Sequence, residues 1–199
     1  MAYRKTEKVL AQIEARRNSI IASAIDVIAK AGMEGLTTDA VAARAGIANG
    51  LMYKYFPDKS ELLATVFAKL LARDLETVRA AASDEKDPLQ AFATAMAVFY
   101  EMCQSPLSSA CGANPVYRKG IENEFYRLIY ATGADLDKTD VKYAAKATMG
   151  ALYGLAGAHG HHGKVASMAI LFVLRGIGVS NATARKVVAR MYGAATVPA

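Results

Sequence analysis

Apolar residues in this chain recur at the three- and four-residue spacing of helices rather than at the alternation of strands. Ile20, Ile21, Ala24, Ile25, Val27 and Ile28 form one such stripe, which predicts a helix over 4–31, either continuous or fed by a basic arm. Gly32 and Gly35 punctuate its end. Thr37 or Thr38 is placed to N-cap a short helix reaching about Ala45, with Asp39 near its positive end. Gly46 breaks that helix. A second short helix runs from about Ala48 to Phe56, and Pro57 stops it. Asp58 or Ser60 then opens a long helix over 59–82, with Leu62, Leu63, Val66, Phe67, Leu70, Leu71 and Leu75 on one face. After the polar link 83–88, helices are predicted over 88–104, 115–132, 138–159, 164–177 and 181–193. Pro106, Gly112, Pro115, Gly133, the 160–163 stretch and Ser180-Asn181 separate them. Ala and Leu are plentiful and β-branched runs rare, so the expected class is all-α.

A length of 199 residues allows one large domain or a small one fused to a larger, and a hydrophobic content of 53% supplies a substantial core. The two cysteines, Cys103 and Cys111, make no disulfide framework and have no metal-ligand spacing, which points to a reducing, cytoplasmic setting. The charged N-terminal segment lacks the apolar core of a signal peptide. The longest apolar run, 168–174, is too short to cross a bilayer, so no membrane partner is expected.

A net charge of +6 invites a nucleic-acid reading, but its distribution weakens that inference. All 18 acidic residues lie at or before Asp140, against 17 of the 24 basic ones. The excess is carried by Lys142, Lys146, Lys164, Arg175, Arg185, Lys186 and Arg190, in the half not expected to touch DNA.

The informative segment is 37–63. Two short helices meet at a sharp turn, with the small Ala42 where they cross and Gly46 where the chain must turn left-handed. Val41, Ile47 and Met52 point inward and lock the pair to the first helix. The second helix presents its N-terminal part to a major groove, and Gly50 lets the backbone come near the duplex.

The run from Gly35 to Leu63, closing on Tyr53-Lys-Tyr55-Phe56, Lys59 and Leu62-Leu63, resembles the TetR family of bacterial regulators. The match spans about 16–67, a third of the chain. The resemblance implies an N-terminal three-helix DNA-binding domain with a helix-turn-helix over 1–58, including an arm over 1–15. It also implies a helical ligand-binding and dimerisation domain over 59–199. Carried over by position, Tyr53 and Tyr55 contact or pack against the phosphate backbone, and Lys54 reaches a phosphate or a base. Lys59 binds phosphate at the start of its helix, and Thr37 and Thr38 offer hydroxyl or backbone N–H. Arg44 and Asn49 are the candidates for base edges. Ala48 and Leu51 depart from the Ser or Thr frequent in the family, so Asn49 serves as N-cap or base reader. Phe56 reads as core, Tyr53 as core or phosphate contact, and Arg44 and Lys54 equally as solvated surface. Arg4, Lys5 and Lys8 read as a frayed terminus or a minor-groove arm.

In the C-terminal body, Met96, Phe99, Tyr100, Cys103, Tyr117, Phe125, Tyr126, Met149 and Tyr153 form aromatic and Met stripes, either plain core or the lining of a pocket. Small residues at 147, 150, 151, 154, 157 and 158, with the apolar helix that follows, look like the paired helices of a TetR-type dimer. Gly150, Gly154, Gly157, Leu171 and Leu174 are the interface candidates. A dimer spaces two recognition helices about one turn apart, ~34 Å. His159, His161 and His162 read as a polar turn rather than a metal site. Neither cofactor nor metal is expected.

The expected function is a sequence-specific transcriptional regulator, a repressor released from palindromic operator DNA by an unknown small-molecule inducer. The alternative is a DNA-bound interaction protein controlled by a protein partner. No nucleophile elbow, P-loop, dinucleotide fingerprint or zinc-protease motif is present, so no enzyme is expected.

Overall fold

Helix α1 (Glu7–Ala31) buries Ile20, Ile21, Ala24 and Ile28 and ends at Gly32, whose φ is +66°. The computed structural model describes residues 7–156 and 162–197, without the side chain of His162. The turn out of α1 is tight: a Cβ at Gly35 would lie 2.9 Å from the carbonyl oxygen of Ala31. Helix α2 (Thr38–Ala45) begins at Thr37, whose hydroxyl accepts from the Ala40 N–H at 3.1 Å. It ends at Gly46, also at φ +66°, and the Ile47 N–H donates back to the Ala42 carbonyl at 3.0 Å. That is a Schellman closure, and it satisfies carbonyls that a β-carbon at Gly46 would make costly to reach.

Helix α3 (Asn49–Met52) is shorter than the 48–56 predicted, and turns continue the chain through Tyr55. Ala48 sits at its N-cap and offers no side-chain bond, so Asn49 is not the cap. Asp58 opens helix α4 (Lys59–Ser83) by accepting from the Glu61 N–H at 2.8 Å. Val41, Ala42, Met52, Phe56, Leu62 and Val66 are buried around α1, and the Arg17 guanidinium lies 4.8 Å from the Phe56 ring centroid. Phe56 is core, as expected.

The chain divides into two compact units, one running to Lys69 and one from Leu70. The division falls inside α4, later than the 58/59 boundary expected. The second unit begins with the rest of α4. Helix α5 (Pro88–Met102) follows, capped by Asp87, then the short α6 (Ser108–Ala113), and then α7 (Pro115–Ala131), capped by Asn114. Helices α8 (Lys138–Ala156), α9 (His162–Gly176) and α10 (Asn181–Tyr192) complete it, with a 3-10 turn at Ala194–Thr196. Helix α6 was not predicted, because six small or polar residues carry no apolar period.

The core of this unit is built on α5. The Phe99 ring meets Phe125 edge-on at 5.4 Å and Tyr153 edge-on at 5.5 Å, and Phe92 meets Phe125 at 6.2 Å. Among the described residues no strand occurs, and no helix is long and apolar enough to cross a membrane.

Candidate nucleic-acid interface and internal cavity

The helix-turn-helix residues fall into two groups. Tyr53, half exposed, and the exposed Lys54 and Lys59 stand in solvent along the turn after α3 and the first turn of α4. A Cβ at Gly50 would meet no atom within 4 Å, so nothing among the described residues demands its smallness. Tyr55 is partly covered and lines a groove with Val9, Gln12, Ile13 and Arg16 of α1. The second group is engaged inside the unit. The Arg44 guanidinium is bonded to Asp26 of α1, with Nε 3.1 Å from Oδ2. That hydrogen bond and the charge of Arg44 hold the Asp26 carboxyl below its usual range. The Asn49 amide donates to Asp39 of α2, and its own carbonyl oxygen is buried without a partner. Thr37 is occupied as the cap of α2, while Thr38 is partly exposed at its first position.

The second unit holds a cavity of about 190 Å³, partly open to solvent. Four of the expected residues line it: Phe99, Cys103, Tyr117 and Tyr153. Its polar end comes from α4, where Asp74 is only 4% exposed. The Tyr117 hydroxyl donates to Asp74 Oδ2 at 2.6 Å, and Arg73 Nε donates to Oδ1 at 2.8 Å. Burial, then the bond to Asp74 and its charge, push the Tyr117 hydroxyl up, so it remains a donor. Cys103 and Cys111 both line the cavity, and burial pushes each thiol up to about 12. A second cavity of about 290 Å³ shares Ser108 and Tyr153 with the first and is lined by Met149, Arg118 and Lys146.

The remaining pocket candidates lie elsewhere. Met96, Tyr100 and Phe125 are buried in the core and line neither cavity. Their stripe positions face neighbouring helices, and the Tyr100 hydroxyl bonds the Leu155 carbonyl at 3.5 Å. Tyr126 stacks on Tyr130 along α7, 6.4 Å apart. The sequence reading missed Asp74, Arg73 and Thr77 on α4 and Cys111 and Ser108 on α6. Asp74 had a signal: it stands between Leu70 and Val78 at four-residue intervals, an acid on an apolar stripe.

Residues 20–66 match the family model described as bacterial regulatory proteins, tetR family. The likeness to the tetR family lies in this N-terminal segment. Relatives of the tetR-family segment include the HTH-type transcriptional repressor KstR of Mycolicibacterium smegmatis. It is 39% identical over 67 residues, 33% of this chain and 33% of that protein. KstR of Rhodococcus jostii is 26% identical over 125 residues, 62% of this chain and 53% of the relative. The chain thus aligns with a third to about half of these proteins' length. Over the whole fold it is similar to RolR, solved in complex with resorcinol, with a TM-score of 0.70 and 20% identity, covering 91% of this chain and 96% of RolR. A TetR-like transcriptional regulator from Rhodococcus sp. RHA1 gives a TM-score of 0.61 at 21% identity, covering 89% and 100%.

The tetR-family reading also named interface residues, and these divide. A Cβ at Gly150 or Gly154 would meet nothing within 4 Å, so no described helix of this unit uses their smallness. On α9, Met168 and Phe172 are 51% and 69% exposed beside Leu171 and Arg175. Leu174 is fully buried inside its own unit and belongs to the core, because its side of α9 faces inward. Gly157, His159 and His161 lie outside the described residues, as do Arg4 and Lys5. Among the described residues no cluster of metal-ligating side chains is formed.

Proposed function

We propose that this protein is a transcriptional repressor that binds palindromic operator DNA as a homodimer and leaves it when a small molecule enters the second unit. The observation that carries the reading is the helix-turn-helix itself. Gly46 closes α2 in the left-handed conformation, and Gly50, Tyr53, Lys54 and Lys59 stand in solvent, the Tyr and Lys side chains without a hydrogen-bond or ion-pair partner among the described residues. The relatives matching this segment are named HTH-type transcriptional repressors. In this reading Tyr53, Tyr55, Lys54, Lys59 and the N-terminal turn of α2 hold phosphates. Arg44 and Asn49 read bases only by exchanging Asp26 and Asp39 for base edges.

Release requires an effector that binds one state better than the other. Helix α4 opens at Lys59 in the first unit and brings Asp74 to the cavity wall in the second. The aromatic cavity supports a small-molecule effector over a protein partner, and RolR is a fold neighbour solved with resorcinol. The exposed Met168 and Phe172, with the open Gly150 and Gly154, support pairing of two copies through α8 and α9.

Selection of binding sites from random DNA, followed by anisotropy titration of wild type and Tyr53→Ala at two salt concentrations, tests the reading. An enriched palindrome, bound more weakly by the variant, supports it. Salt-sensitive binding without enrichment, indifferent to Tyr53, overturns it.

A further inference from the structure

We propose that the paired cavities take a hydroxybenzoate-class ligand, one aromatic ring with a hydroxyl donating to Asp74 and a carboxylate met by Arg118 and Lys146. The proposal rests on reading the cavity as the effector site and names the chemistry of that effector.

Size comes first. An apolar cavity of about 150 Å³ accepts benzene, so the inner cavity of about 190 Å³ holds a single ring. Its walls suit one. Phe99 and Tyr153 are fixed edge-to-face at 85°, and Met102, Cys103 and Cys111 contribute sulfur. Tyr153 has little room to retreat, since a Cβ at Gly112 would already lie 3.1 Å from its ring.

Polarity then sets direction. Asp74 accepts one bond on each oxygen, from Tyr117 and from Arg73, and each carboxylate oxygen can accept another. The inner end therefore welcomes a hydroxyl donor and repels an anion. The outer cavity is the reverse. Arg118 reaches its Glu122 neighbour only at 4.0 Å, and Lys146 has no carboxylate partner among the described residues. The two cavities adjoin at Tyr153 and Ser108, and the proposal places one molecule across both. Tyr153 lines both cavities, with Asp74 on the wall of one and Arg118 and Lys146 on the wall of the other.

The test is calorimetric titration of the full chain with 3-hydroxybenzoate and 4-hydroxybenzoate, against benzoate and phenol. At least one hydroxybenzoate is expected to bind about tenfold or more tighter than either control. Lys146→Gln, at an exposed position, is expected to erase the advantage over phenol, and Asp74→Asn the advantage over benzoate. Equal affinity for all four compounds, or an advantage untouched by Lys146→Gln, overturns the proposal even if Asp74→Asn fails to fold. Operator binding without hydroxybenzoate binding sinks the ligand class alone. Hydroxybenzoate binding without operator selection sinks the repressor reading instead.

Discussion

The Tyr117 hydroxyl donates to the Asp74 carboxylate across 2.6 Å, a buried bond that joins α7 to α4 at the inner end of the cavity. Both groups are buried, Tyr117 at 2% and Asp74 at 4% exposure. Tyr117→Phe removes the donor and leaves Asp74 with Arg73 alone on its other oxygen. An unsatisfied buried acceptor costs about 1–3 kcal/mol. Urea unfolding of the variant is therefore expected to show a loss of that size, with operator affinity unchanged while the protein stays folded. An unaltered unfolding midpoint would show that water replaces the phenol.

Cys103 and Cys111 are both buried, and their surroundings keep them unreactive. Burial leads, and neighbouring acidic groups add to it, in raising both thiols to about 12. The thiolate is the reactive form, so at neutral pH both stay protonated. Slow labelling by iodoacetamide is expected in the native protein and rapid labelling of both in denaturant. Fast native labelling of either one contradicts this account.

The first unit was legible in the sequence because each of its turns is fixed by one residue type. Thr37, Gly46, Asp58 and Phe56 stand in the roles that local chemistry assigns them. The cavity was half legible. Aromatic spacing identified Phe99, Tyr117 and Tyr153 but could not separate them from Phe125 or Tyr100, which share the same period and face a neighbouring helix instead. The polar end was hidden because Asp74 lies about forty residues from Tyr117 in sequence, and a lone acid on a long helix reads as solvated surface. Arg44 and Asn49 show the converse limit, for their partners Asp26 and Asp39 become visible only once α1 and α2 are packed.

At Gly46, φ of +66° places the residue where a β-carbon is strained. A Cβ there meets no neighbour, so the cost of Gly46→Ala is conformational alone, about 1–2 kcal/mol. Thr37→Ala removes the cap of the same helix at about 1 kcal/mol. The two are expected to add within error, since they act at opposite ends of α2, and thermal melts of the single and double variants check this. A double variant no worse than Gly46→Ala alone would mean that α2 frays from its N-terminus already.

Lys54 and Arg44 separate a free cation from a committed one. Under the repressor reading, Lys54→Gln weakens binding uniformly across DNA sequences and lowers the salt slope by about 0.9, the value for a single phosphate no longer neutralised. Arg44→Gln frees Asp26, whose carboxyl the guanidinium holds below its usual range. Its effect on DNA is expected at one base position if the exchange occurs and nowhere if it does not. A salt slope unchanged by Lys54→Gln removes Lys54 from the interface.

Glu124 carries a pH dependence whose sign is fixed by its partners. The carboxylate is 3% exposed and accepts from Arg79 Nε at 2.8 Å and Arg127 Nε at 3.0 Å. Burial opposes its ionisation, but the hydrogen bonds and charges of Arg127 and Arg79 outweigh burial and lower its pKa. A lowered folded pKa contributes stability that is complete above the unfolded value, about 4.3, and is lost as pH falls through the lower folded one. Glu124→Gln keeps the shape and removes the charge. It is expected to cost about 2 kcal/mol at neutral pH, the scale of hydrogen bonds to charged groups. The difference from wild type should shrink as pH drops below about 4.3. Unfolding midpoints for both proteins from neutral pH down to about pH 3 decide it. Parallel curves would place the acid sensitivity of this unit on other carboxylates and leave the Arg79–Glu124–Arg127 bridge as packing.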